Sequence, residues 1–235
     1  MKPPSVAERP FAAARPAVCS GGMALLFLIR HALTDQTGKR LYGWTPGVHL
    51  SERGREQAGE IAARFDGLSL SAIYSSPLER CRETAEPIAA TKRLAILTRR
   101  ELGEVDYGRW TNRPLAQLTR TKLWKTVQHL PSQAVFPEGE SFLQVQERGL
   151  RAIGEIAASH PRQHVAVVSH GDVIRLLISH LAGAHVDEFQ RIAIDPASVS
   201  AVAVGDGQPR IFRVNDTGSL AGFVRQRRPG GNVKG

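Results

Sequence analysis

The residues with the most chemistry to offer stand at the ends of two apolar runs. Ala24-Leu25-Leu26-Phe27-Leu28-Ile29 stops abruptly at Arg30-His31, and Val165-Ala166-Val167-Val168 leads into Ser169-His170-Gly171. Arg80, shortly after Ser75-Ser76-Pro77, and Glu104, in the glycine-punctuated stretch Glu101–Trp110, lie between them in the chain. Two imidazoles, two guanidiniums and one carboxylate suit an anionic, tetrahedral group. A neutral histidine can attack phosphorus and hold it as a phosphohistidine, which splits one hard displacement into two easier ones. Guanidinium forks match the non-bridging oxygens, and electrostatic holding supplies most of the catalysis in phosphoryl transfer. Arg30 and Arg80 are expected to keep His31 neutral. Glu104 is the acid for the leaving alkoxide, its pKa raised by the like charge of a bound phosphate, and then the base for the water that hydrolyses the phosphohistidine. Glu101 and Asp106 lie close by, so a small shift of the motif would choose another acid.

These groups act together only if strands bring them to one edge. A run as short and as uniformly apolar as residues 24–29 reads as a strand buried on both faces of a parallel sheet, although periodicity alone does not separate it from a buried helix segment. Ligands bind at the carboxyl edge of such sheets, and two strands of this grammar side by side bring His31 to His170. Along the chain, Ala32–Val48 with its glycines and proline reads as a site-shaping loop. Ser51 is the expected N-cap of a helix through Gln57, Ile61 and Phe65, and Leu70–Tyr74 a strand. Ser76 with Glu79 forms a capping box, Pro77 takes the first helical position, and Arg80 falls in the first turn of a helix to about Ala90. Leu94–Leu97 is a weak strand, residues 114–129 a helix, and Ser141 opens another to about Ala158. A helix over Gly171–Leu181 and two strands, Val199–Val204 and Arg210–Val214, close the pattern. The order predicts an α/β domain with a largely parallel sheet covered on both faces.

At 235 residues with no linker in the middle, the chain is expected to build one core. Its net charge of +9 points toward an anionic partner, but residues 1–22 carry +2 and 223–235 carry +4, which leaves an ordinary +3 for the body. The arginine-rich end lacks a folded binding module, so no specific nucleic acid is expected. Two cysteines form no disulfide framework, no apolar stretch approaches a membrane span, and Arg15-Pro16 interrupts any signal-peptide core. A cytoplasmic location is expected. Residues 1–22 read as a disordered extension before Met23, residues 23–216 as the domain, and 217–235 as a disordered basic tail.

Four motifs in order carry a resemblance: Leu28-Ile29-Arg30-His31-Ala32, His49-Leu50-Ser51-Glu52-Arg53-Gly54, Tyr74-Ser75-Ser76-Pro77-Leu78-Glu79-Arg80 and Val168-Ser169-His170-Gly171, with Glu104 and Tyr107-Gly108 as an acid motif. The chain resembles the histidine phosphatase superfamily, also called phosphoglycerate mutase-like. The resemblance implies a single-domain three-layer sandwich with a mixed, mostly parallel sheet. It makes His31 the phosphorylated nucleophile and Glu104 the proton donor, with Arg30, Arg80 and His170 on the phosphate. It also implies no metal and no organic cofactor, a small-molecule phosphomonoester as partner, and no membrane; a homodimer is allowed for. Phosphomonoester hydrolysis is the expected activity, with a phosphoglycerate mutase as the first rival and a non-catalytic phosphate-ligand binder as the second. The acid loop Gly103-Glu104-Val105-Asp106-Tyr107-Gly108 differs from the Glu-Arg-His-Tyr-Gly run of true mutases.

The chain departs from the family pattern at a few positions. Ala32 replaces a Gly that permits close backbone approach, Leu33 replaces a frequent Glu, and Asn112 stands where Gly is common. Thr37 takes the place of an Asn that touches the phosphate, and its hydroxyl can still donate there; Gly171 completes the expected phosphate-binding set. Arg109, Trp110, Arg113, Lys122, Trp124 and Lys125 line an acid-reading lid or simply face solvent, and Arg82 is expected on a solvated helix face. His49, His129, His160, His164, His180 and His185 are read as structural or exposed, and Asp172 lacks companions for a metal site.

Overall fold

The computed structural model describes residues 22–218. Its strands are β1 Ala24–Arg30, β2 Arg40–Leu41, β3 Ala72–Ser75, β4 Ile96–Thr98, β5 Arg113–Pro114, β6 His164–Ser169, β7 Val199–Val204 and β8 Arg210–Asp216. Its helices are α1 Glu52–Arg64, α2 Glu79–Lys92, α3 Leu115–Leu118, α4 Lys122–His129, α5 Phe142–Ser159 and α6 Gly171–Leu181, with short 3₁₀ turns between several of them. Six strands form the central sheet in the order β4-β3-β6-β1-β7-β8. The pairs from β4 to β1 are parallel and the two involving β7 are antiparallel, so the sheet is mixed and mostly parallel.

The continuous apolar character of β1 follows from its place in the middle. Leu26 and Leu28 enter a core with residues of α5 and α6, such as Val145, Ile153, Val173 and Leu177. Phe27 and Ile29 enter a second core with Ala58 and Ile61 of α1 and Ala85 and Ile88 of α2. Successive side chains of a strand point to opposite faces, so a strand serving two cores has no polar position to spare. Each such side chain contributes about 1.5–3 kcal/mol by leaving water, enough that both helix layers depend on this one strand. The result is the expected three-layer sandwich.

Local signals placed most elements. Ser51 caps α1, its hydroxyl accepting from Gly54 N–H, and α6 begins and ends where the sequence predicts. Ser141 opens α5 with a complete capping box through Gln144. The predicted box at Ser76 is not formed: α2 opens at Glu79, with Leu78 in the N-cap position and no side-chain cap. His170 Nε2 lies at hydrogen-bond distance, 2.8 Å, from the Ser76 hydroxyl, and Glu79 turns away to accept from Gly47 N–H at 3.1 Å. The predicted helix over 114–129 divides into α3 and α4, because Thr121 caps Trp124 N–H and starts a new helix. The loop after His31 contains β2, which pairs with β5, and β4 is Ile96–Thr98, starting two residues after the predicted Leu94. Asn112, beside that pairing, takes the left-handed conformation at φ 60°, which Asn tolerates in place of Gly. The readings of disorder at the two ends fall almost wholly outside the described residues. Among the described residues no helix is long and apolar enough to cross a membrane.

Ala32 is fully buried, is not among the residues at positive φ, and donates its N–H to Thr84 Oγ1 at 3.0 Å. The backbone at Ala32 therefore does not call for the positive φ that only glycine adopts freely. Ala32→Gly is expected to destabilise the protein by about 1–2 kcal/mol, from one buried methyl and added chain freedom, with no gain in turnover. A urea midpoint checks the first and kcat/KM the second; a faster, equally stable variant would contradict the assignment.

Candidate active site

The register of three parallel strands assembles the site. Arg30 stands opposite Ser169, and His31 N–H extends the ladder to Ser169 O at 2.9 Å, so His31 and His170 leave the sheet side by side. Their ring centroids lie 5.3 Å apart. On the other side of β6, Ser76 N–H donates to Val168 O at 3.0 Å, and the following α2 brings Arg80 to the same edge. The loop after His31 is tied down on α1: Ser51 N–H reaches Leu33 O at 2.9 Å, and Leu33 N–H reaches Gln57 Oε1 at 3.1 Å. A Cβ on Gly54 would lie 2.0 Å from Leu33 O, so this contact requires glycine.

His31 is 7% exposed, and its Nδ1 lies 2.8 Å from Ala32 O. A carbonyl only accepts, so Nδ1 carries the proton and Nε2 of the neutral ring keeps its lone pair. Burial, then the charges of Arg80 and Arg30, push the pKa of His31 well below the usual imidazole value. His170, completely buried, is pushed the same way by burial, Arg80 and His31.

Arg80 is 1% exposed; its Nη2 donates to Gly43 O at 2.9 Å and lies 3.3 Å from His170 Nδ1. Arg30 Nη1 donates to Ile194 O. Arg80 Nη1 and Arg30 Nε are buried and meet no acceptor among the described residues. An unmet buried donor costs about 1–3 kcal/mol, more when charged, so two at one sheet edge mark a place prepared for an anion. Gly171, first residue of α6, lets the Arg30 guanidinium lie close: a Cβ there would be 3.2 Å from its Cζ and Nε.

Glu104 Oε1 accepts from Val105 N–H at 3.0 Å, and Oε2 lies 3.7 Å from His170 Nδ1. Its pKa is raised to about 7, by burial first and the Asp172 carboxylate second. Burial and Asp172 thus supply a rise that a bound phosphate would only add to. Asp172 is itself held by Tyr107 Oη–H at 2.8 Å and Arg175 Nη1 at 3.0 Å. Asp172→Asn keeps an acceptor for Tyr107 but removes the like charge, so the pKa of Glu104 should fall. If protonated Glu104 is needed, kcat/KM for an alkyl phosphate declines above about pH 7 in the wild type and at lower pH in the variant. An unmoved alkaline limb would contradict this.

Arg30, His31, Thr37, Arg80, Glu104 and Gly171 all line one cavity of about 300 Å³, and His170 lies directly behind it. Thr37 lines it with its Oγ1 accepting from Thr34 N–H at 3.0 Å, which leaves the hydroxyl proton to be donated. The lid supplies Trp110, Leu115, Trp124 and Val127 to the wall, whereas Arg109, Arg113, Lys122 and Lys125 do not line it. Arg109 pairs instead with Glu138 at the surface. None of the other six histidines lines the cavity; His49, for example, pairs with Glu83. Sequence reasoning gave Ser76 and Tyr107 no role although both stand in motifs it quoted, set aside only a metal reading for Asp172, which follows His170-Gly171 directly, and passed over Arg175, which carries no such signal. Among the described residues no group of three or more His, Cys, Asp or Glu is placed to hold a metal ion.

Residues 26–217 match the model of the histidine phosphatase superfamily, branch 1. The chain belongs to that superfamily. It is 30% identical over 203 residues to phosphoserine phosphatase 1 of Hydrogenobacter thermophilus, covering 86% of this chain and 96% of the relative. Among solved structures, YhfR of Bacillus stearothermophilus superposes with a TM-score of 0.76 at 26% identity, over 80% of this chain and 95% of that one. The mycobacterial glucosyl-3-phosphoglycerate phosphatase superposes at 0.74 with 25% identity, over 82% and 98%. At the level the superfamily carries, the chain is a phosphomonoester hydrolase of the histidine-phosphatase type.

Proposed function

We propose that the protein hydrolyses small-metabolite phosphomonoesters through a phosphohistidine on His31. The observation that carries this reading is the neutral His31, with its Nε2 lone pair free, sharing a cavity with two unmet guanidinium donors. Arg30 and Arg80 hold the phosphate, His170 backs them through its contact with Arg80, and Thr37 and Gly171 stand at its margin. Nε2 attacks phosphorus as the ester P–O bond breaks, and Glu104 gives its proton to the departing oxygen. Glu104, now a carboxylate, takes a proton from water as that water displaces phosphorus from the histidine, and inorganic phosphate leaves. Two carbonyl-anchored guanidiniums need little rearrangement as charge moves over the equatorial oxygens.

A cavity of about 300 Å³ is at the small end for ligand pockets, which suits a metabolite rather than a macromolecular phosphate. The relatives act on different esters by name, phosphoserine in one and glucosyl-3-phosphoglycerate in another, so the lid wall and the Asp172–Arg175 pair are where choice would lie. The domain carrying this activity is taken as residues 23–216, in a cytoplasmic protein.

The test is phosphate release from an aryl phosphate and a panel of metabolite phosphates, with a chelator present, for wild type and His31→Ala. Activity that survives chelation and disappears in the variant supports the reading. Isomerised 3-phosphoglycerate in place of free phosphate would make the protein a mutase; tight binding without turnover would make it a phosphate-ligand binder.

A further inference from the structure

Arg148, on α5, is 14% exposed at its side chain and does not line the cavity, yet all five of its guanidinium N–H groups are spent on the loop that carries Glu104 or on that loop's support. Nη1 donates to Glu101 O at 2.7 Å and Gly103 O at 2.8 Å, and Nη2 to Glu104 O at 2.8 Å. Nε and Nη2 also donate to the two oxygens of Glu140, at 2.7 and 2.9 Å. Glu140 in turn accepts from Asp106 N–H at 2.9 Å, and its own N–H donates to Asp106 O at 2.8 Å. Trp44 Nε1 is a second donor to Glu104 O, at 2.7 Å.

Past the single 3₁₀ turn Arg100–Leu102 this loop has no helix or ladder to hold its carbonyls, and buried carbonyls without donors are costly. Here one planar fork meets three of them at once, which a lysine ammonium on a flexible stem does not reproduce. With the carbonyl of Glu104 fixed by two donors, the 104–105 peptide is kept from rotating, and its other end, Val105 N–H, stays on Glu104 Oε1 at 3.0 Å. We infer that Arg148, oriented by Glu140, is the positioning residue for the proton donor: it holds the Glu104 carboxyl on the leaving-group side and thereby governs turnover of esters whose leaving group needs a proton. The inference rests on the reading of Glu104 as the general acid.

Leaving-group dependence tests it. Dinitrophenolate departs without a proton and an alkoxide does not, and kcat/KM reports the chain only up to transfer of phosphorus to the histidine. Compare kcat/KM for glycerol 3-phosphate and 2,4-dinitrophenyl phosphate in wild type, Glu104→Gln, Arg148→Met and Glu140→Gln. General acids are worth about 10²–10⁴-fold, and misplacement by an ångström costs about 10²-fold. Glu104→Gln is expected to lose about 10²-fold more on the alkyl ester than on the dinitrophenyl ester. Arg148→Met should show the same preference at about tenfold or more, and Glu140→Gln the same direction to a smaller extent. The alkaline limb seen with the alkyl ester should flatten in all three. Equal losses on both esters in Arg148→Met and Glu140→Gln, with Glu104→Gln still discriminating, overturn the inference alone. A Glu104→Gln enzyme indifferent to the leaving group overturns the acid assignment beneath it. If Arg148→Met fails to fold, Glu140→Gln, which keeps the shape of the side chain, decides the matter.

Discussion

His31→Ala is expected to lower phosphate release from every substrate by about 10⁴-fold or more, the scale of loss when a nucleophile is removed while electrostatic holding stays. The loss should fall on kcat rather than on folding. His31 makes one side-chain hydrogen bond, to Ala32 O, and contributes no ion pair in the structure. Because the ring is neutral, its removal leaves no buried charge unpaired, and the thermal midpoint should move by only a few degrees. The variant should still bind inorganic phosphate, since the donors of Arg30 and Arg80 remain. Quenching wild type during turnover into alkaline detergent should trap a base-stable, acid-labile phosphoryl group that His31→Ala lacks. A variant that keeps a tenth of the activity, or the label, would remove His31 from the mechanism.

Arg80→Met separates function from stability. Charge-assisted hydrogen bonds are worth about 1.5–3 kcal/mol each, so losing a two-point clamp should cost about 10²–10⁴-fold in kcat/KM. Stability should respond otherwise. Arg80 is a fully buried cation whose side-chain contacts are Gly43 O and His170 Nδ1, with no carboxylate among the described residues bonded to it. Exchanging such a charge for an apolar side chain of similar length is commonly neutral or stabilising, because desolvation no longer has to be offset. The thermal midpoint is therefore expected to hold or rise while activity collapses, the pattern of a residue kept for function. Phosphate should raise the midpoint of the wild type by mass action and fail to raise that of the variant. Arg80 also depresses both imidazoles, so its loss should lift the pKa of His31 and His170 toward the ordinary value and move the acid limb of activity upward. A destabilised Arg80→Met enzyme that still responds to phosphate would contradict this account.

The sequence by itself determined the central strand, the parallel neighbour and the residues at their ends. Those are local signals: four apolar side chains in succession can be satisfied only between two cores, and the register then carries His31 to His170 without further instruction. Ser51, Ser141 and the start of α6 were legible for the same reason, since a cap is a contact over three residues. Tertiary structure alone decided what the polar groups do. Ser76 carries every mark of a helix cap, but a histidine 94 residues away takes its hydroxyl. Thr121 breaks a stretch that composition alone allows as one helix. The pKa of Glu104 is set by burial and by Asp172, and its loop by an arginine more than 40 residues on, none of which leaves a periodicity to read. Apolar pattern is repeated along the chain and so can be read from it; a hydrogen bond or a desolvated charge is a single event between distant residues, and exists only once the chain has folded.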